Sequence, residues 1–208
     1  MSLPILIYDE RRLTPALGYV FPAYWVRPHE SLLCMLWKFA LQNAIPGHDL
    51  ASQIARFKID PYEGIAARKE NVDTQQLAKL LGISRRNVSA GLLHSLHTAP
   101  HLRFCERCLT VAYHCIVHQV TWITHCPMHP SYALQSSCPR CGAQVPYHFN
   151  ARVFDAPFRC ANCRQSLARS RLKPTRASLS RERLSMLIQL RYRYALWWSR
   201  RRSSLKNV

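Results

Sequence analysis

The chain has 208 residues, room for one ordinary domain or two small ones, and 48% of them are apolar, enough for a modest core. No uncharged apolar run approaches the roughly twenty residues that span a bilayer, and Pro4, Tyr8, Asp9 and Glu10 interrupt the apolar start before it can serve as a signal peptide, so a soluble, cytoplasmic protein is expected. A net charge of +18 and a pI near 10.1 favour a polyanionic partner, nucleic acid first of all, and 13 basic residues against one acid between Arg164 and Val208 place +12 of that excess at the C-terminus.

Residues 1–30 are rich in proline, and Pro15, Pro22 and Pro28 exclude a long helix, so an extended arm is expected. "HESLLCMLWKFALQN" then places Leu32, Met35, Leu36 and Phe39 at helical spacing, which predicts an amphipathic helix over Ser31 to Asn43, closed by Pro46 and Gly47. Cys34 within it reads as a core residue. "HDLASQIARF" predicts a second helix with Asp49 at the N-cap and Leu50, Ile54 and Phe57 on one face.

In "VDTQQLAKLLGISRRNVSAGLL", Asp73 and Gln76 have capping-box spacing, Leu77, Leu80 and Leu81 face a core, and Gly82 supplies a turn into a helix starting near Ser84. Ala78, Gly82 and Val88 fall at the offsets of a helix-turn-helix, in which Arg85, Arg86, Asn87 and Ser89 would face a DNA groove. An ordinary helical hairpin has the same pattern, and Gly91 stands where a helix-turn-helix usually buries an aliphatic side chain. Such folds also serve as protein-docking modules.

Nine cysteines without an export signal point to metal ligation rather than disulfides. Cys105, Cys108, Cys126 and His129 form one set with seventeen residues between its pairs; Cys138, Cys141, Cys160 and Cys163 form a second with eighteen. Each close pair presents two donors about one metal's width apart, as tetrahedral zinc requires. Two structural zinc ions per chain are therefore expected, with no open coordination position for catalytic water, and chelation is expected to unfold this half. Zinc deaminases need a His-Xaa-Glu triplet, whereas His29 and Glu30 are adjacent here. No acidic pair or nucleophile triad stands out elsewhere, so no catalytic residue is assigned.

Between the first pairs, Leu109, Tyr113, Ile116 and Val120 fit one helical face, which predicts a short helix followed by a strand near Thr121 to Thr124. His114, Cys115 and His118 read as core or surface residues, and His125, next to Cys126, can compete as a ligand. The second insert, "GAQVPYHFNARVFDAPFR", resembles a zinc-ribbon hairpin; Arg140 and Arg159 flank its metal and can face phosphate or solvent. After it, Ser180 caps a helix with Leu184, Leu187, Ile188 and Ala195 as an apolar stripe and Arg181, Arg191, Arg193, Arg200, Arg201 and Arg202 elsewhere. Such a helix either docks and offers arginines to phosphate or inserts its Trp197/Trp198 face into a partner; nucleic acid or protein is favoured over an acidic membrane surface.

The expected fold is mainly α with small zinc-stabilised α+β modules. It comprises a helical domain over 1–100 carrying the helix-turn-helix, a tandem zinc-finger and zinc-ribbon domain over 101–170, and a basic helix over 171–208.

"CERCLTVAYHCIVHQVTWITHCPMH" followed by "CPRCGAQV" resembles the zinc-finger signature of the TniQ/TnsD family of bacterial transposon target-selection proteins, and "HESLLCMLWKFA" is similar to the family's N-terminal helix. The resemblance covers about residues 20–165 and is closest from Cys105 to Gly142; Pro130 stands where the family pattern has glycine. It implies a non-enzymatic adaptor that bridges a target-recognition element, either DNA or an RNA-guided CRISPR effector complex, to an AAA+ ATPase transposition regulator. It also implies the same eight metal ligands, DNA or guide RNA as nucleic-acid partner, and nucleoid association during transposition. Many relatives are about twice this length, so the chain resembles the short members found beside RNA-guided systems. From the parts alone, a zinc-containing helix-turn-helix transcriptional regulator is the alternative.

Overall fold

The computed structural model describes residues 19–94, 98–168 and 180–205. Residues 1–18 of the arm expected over 1–30 and the chain linking the metal region to the last helix lie outside the described residues; residues 19–30 form no α-helix and hold one 3₁₀ turn, Ala23–Trp25. Seven α-helices and two small antiparallel pairs of strands are present among the described residues.

The first helix, α1 (Leu32–Asn43), begins where the sequence signals it, with the Ser31 hydroxyl accepting from the Cys34 amide at 3.1 Å. Its amphipathic expectation does not hold, because every residue from Leu32 to Ala40 is buried. Lys38 is buried with the rest, and its ammonium pairs with the carboxylate of Glu30 and donates to the Trp25 carbonyl at 2.9 Å. A buried charge survives in such a place only when paired and hydrogen-bonded.

Helix α2 (Gly47–Ser52) starts three residues earlier than expected, so Asp49 lies in its first turn rather than at its N-cap. The cap comes from far along the chain: the Asp155 carboxylate accepts from the Gly47 amide at 2.6 Å. The helix ends at Ser52, so Phe57 is off its apolar face and 60% exposed.

Helix α3 (Thr74–Leu81) is capped by Asp73, whose carboxylate accepts from the amides of Gln75 and Gln76. Gln76 does not complete a capping box; its side chain donates to Gln53 instead. Gly82 closes α3 in the left-handed region at φ 61°, and Ser84 caps the six-residue α4 (Arg85–Ala90). The two helices pack on one another, with Leu77, Leu80, Leu81 and Val88 buried. Gly91 follows α4 at the start of α1: its carbonyl accepts from the Leu32 amide at 2.8 Å, and an added Cβ would lie 2.6 Å from that nitrogen. Close backbone approach explains the missing aliphatic side chain.

The second insert does not form a ribbon hairpin. Its strand β4 (His148–Phe149) pairs antiparallel with β1 (Ile65–Ala66), and Asn150 caps the short α6 (Ala151–Phe154), which packs on α1 and α2. Phe149, Phe154 and Phe158 are fully buried, and the Trp37 indole packs tilted against Phe158 while donating to the Val153 carbonyl at 2.8 Å. Three aromatic side chains cannot be hidden by a two-stranded ribbon, so the segment covers the second face of α1 instead. The larger core therefore draws on residues from Phe21 to Leu102 and again from Phe104 to Leu167. A smaller core joins Leu93, the segment from Cys105 to Met128, and Leu187 and Tyr194 of the last helix, α7 (Arg181–Leu205).

Candidate metal centres

The first donor set is built from one helical and one hairpin element. Cys105 and Cys108 flank the start of α5 (Glu106–Thr110), and Cys126 and His129 face one another across the turn between β2 (His125–Cys126) and β3 (His129–Ala133). Sulfur-to-Nδ1 separations from Cys105, Cys108 and Cys126 to His129 are 3.5, 3.4 and 3.7 Å, and Cys108 to Cys126 is 3.5 Å. Metal–sulfur and metal–nitrogen bonds of about 2.3 and 2.0 Å in a tetrahedron give edges of about 3.8 Å for S–S and about 3.5 Å for S–N. The donors fit one ion.

The second set is made of two equivalent knuckles. In each, the first cysteine's amide donates to the carbonyl five residues on, Cys138 to Ala143 and Cys160 to Gln165, at 2.9 and 2.8 Å. In each, the residue four places on turns left-handed and donates back, Gly142 at φ 71° and Arg164 at φ 60°. Cys138 lies 3.6 Å from Cys163 and Cys141 lies 3.8 Å from Cys160, again the edges of a tetrahedron. All four donors of each set lie within 4.8 Å of one another, so each can hold one metal ion.

Proton balance points the same way. The Cys105 thiol is held far below its usual range by hydrogen bonds from Cys108 and Cys126, while the Cys108 thiol is pushed far above it by its contact with Cys105, then Cys126 and burial. Crowded donors of this kind share protons until a dication displaces them. With a dication bound, three thiolates and an imidazole retain one negative charge, and four thiolates retain two. The set with less charge is the buried one, and the set with more has Cys141 exposed and Cys163 half-exposed. Burial follows charge, as desolvation demands.

The expected helix between the first pairs is broken. Ala112 takes a left-handed φ of 50°, ending α5, and a 3₁₀ turn over Ile116–Gln119 follows; the strand begins at His125, not Thr121. Leu109, Tyr113, Ile116 and Val120 are nevertheless all buried, with Tyr113 donating to the Pro28 carbonyl at 2.9 Å. His125 is exposed beside Thr124 and does not take the ligand position, which belongs to His129.

Three supporting side chains carried no sequence signal beyond their types. The Arg103 guanidinium donates to the carbonyls of Val120 and Ile123, bracing the loop between turn and strand. Fully buried His114 bonds Ser31 at 2.7 Å through Nδ1 and the Arg103 carbonyl at 2.8 Å through Nε2, linking this centre to the cap of α1. His118, equally buried, touches Cys126. Histidines interleaved between ligand pairs were the available hint.

The residues expected to contact a polyanion are dispersed. Arg85, Arg86 and Asn87 are exposed on the first turn of α4, with Arg85 also donating to the Thr74 hydroxyl at 3.1 Å, and Ser89 is half-buried. Arg140 and Arg159 are exposed beside the second centre, where Arg159 donates to the Arg164 carbonyl at 3.1 Å. Arg193 is exposed on α7, but Arg191 turns inward and donates to the Ala90 carbonyl, so its guanidinium is not directed at a partner. Arg200, Arg201 and Arg202 lie within α7, and their side chains lie outside the described ones. No helix among the described residues is long and apolar enough to cross a membrane.

No protein-family model and no curated protein sequence matches the chain.

Proposed function

We infer that this chain is a zinc-stabilised, non-enzymatic adaptor in DNA transposition, joining a target-recognition element to an AAA+ ATPase regulator. The observation that supports it best is the two adjacent four-donor centres within the stretch that resembles the TniQ/TnsD signature. Zinc is the ion this donor chemistry favours, since thiolate and imidazole in a tetrahedron suit it above the hard cations. Four protein donors per centre leave no position for a reacting water, so both ions serve the fold. The helix-turn-helix reading of α3 and α4 rests on their Gly82 turn and on the exposed Arg85, Arg86 and Asn87. The net charge of +18 supplies non-specific attraction to nucleic acid.

Reconstitution tests this reading. The tagged protein is mixed with an AAA+ ATPase transposition regulator and with duplex DNA at several salt concentrations. The expected result is weak, salt-sensitive and sequence-indifferent DNA binding alone, with a stable complex once the ATPase is added. Tight binding to one duplex without the ATPase, lost on Arg86→Ala or Asn87→Ala, would instead establish the transcriptional regulator.

A further inference from the structure

We propose that His118 is a positioning residue of the first metal centre, its Nε2–H donating a hydrogen bond to the Cys126 thiolate. This rests on the reading of that centre as a metal site. The ring is completely buried, its Nε2 lies 3.4 Å from Cys126 Sγ, and its Nδ1 has no partner among the described residues.

These three facts assign the proton. With the hydrogen on Nδ1, a buried N–H would be left without an acceptor, and the Nε2 lone pair would face a sulfur anion. With it on Nε2, the donor meets the anion and only an acceptor lone pair is left unused, the lesser penalty. The ring is also held in place. The His118 amide donates to the Cys115 carbonyl at 3.0 Å, and the ring lies edge-on to His114 at 5.2 Å between centroids. His114 is itself anchored at both nitrogens.

A thiolate in a dry core needs such a donor. The excess negative charge of a three-thiolate centre has no water around Cys126, which is fully buried. The exposed centre has a counterpart, Asn162, whose amide donates to Cys141 Sγ at 3.7 Å. That sulfur is also reached by solvent, so Asn162 has less to supply. The same kind of donor is therefore expected to matter at the buried centre and little at the exposed one.

The full chain loaded with NMR-active cadmium provides the test. A scalar coupling between the His118 Nε2–H and the ion, transmitted through Cys126 sulfur, is expected, because only a hydrogen bond to a bound thiolate produces it. In parallel, chelator competition measures zinc affinity of three variants. His118→Leu should lose about tenfold to a hundredfold at the first centre, His118→Gln, which keeps an amide donor, should recover most of it, and Asn162→Ala should change zinc affinity at the second centre little. Two cadmium ions bound without the coupling, or His118→Leu binding zinc as the parent does, would overturn the assignment while leaving the metal reading intact. Uptake of a single ion, at the second centre only, would overturn both. Should His118→Leu fail to fold, the coupling in the parent protein decides.

Discussion

His114 holds the junction between the first metal centre and the N-terminal helices, and it does so in its neutral form. Burial lowers its pKa from 6.5 to about 4, against the raising effect of its hydrogen bond to the Arg103 carbonyl. An unfolded chain protonates the ring near pH 6.5 and the folded chain only near 4, so between these values the unfolded state binds more protons. The stability owed to the neutral ring is thus complete above pH 6.5 and is lost as pH falls toward 4, up to roughly 3 kcal/mol. His114→Gln can still donate to the Arg103 carbonyl but cannot titrate. Urea unfolding of the zinc-loaded protein across this window should show a flatter pH dependence for His114→Gln than for the parent. Parallel curves would remove His114 as the source.

At the scale of elements, the ends of α1, α3 and α4 were legible, whereas the start of α2 and the docked face of α7 were not. Ser31, Asp73, Gly82 and Ser84 act where local chemistry places them, because each of these caps bonds only its own first or last turn, unlike α2, whose cap is the distant Asp155. The eight donors were legible for a similar reason: metal spacing is nearly local. By contrast, the buried stripe of α7 runs through Leu187, Leu190 and Tyr194, while Ile188, assigned to the stripe from the sequence, is 53% exposed and Tyr192 is 63% exposed. Both faces of α7 carry apolar residues, so periodicity alone cannot choose between them; the choice is made by distant partners. Tyr194 donates to the His94 carbonyl at 3.0 Å, Arg191 to the Ala90 carbonyl, and Leu187 enters the core of the first centre. Leu187→Ala is therefore expected to cost about 2–4 kcal/mol, and Ile188→Ala to stay within about 0.5 kcal/mol of the parent. Urea midpoints of the two variants measure the contrast, and equal losses would mean that the helix is docked on another face.

For the whole molecule, the sequence order of helices and then metal modules suggests parts that stand alone, and the packing joins them. Phe158 and Cys160 of the second centre share a core with Trp37 and Phe39 of α1, β4 pairs with β1, and Asp155 caps α2. None of these links has a local signature, since each depends on a partner about eighty or more residues away. A structural zinc contributes roughly 10 kcal/mol of apparent binding free energy, so an ion bound at the second centre would support the N-terminal helices as well. Cys163→Ser tests it cleanly, because Cys163 is half-exposed and the substitution removes a ligand with little packing loss. The expected outcome is loss of one zinc and a fall in hydrogen-exchange protection of the α1 amides, although no atom of α1 ligates metal. Its alternative, α1 protection unchanged with one zinc gone, would show the N-terminal helices to be stable by themselves. The first centre provides the internal reference: its donors lie in the other core, so its zinc should remain bound while α1 loosens.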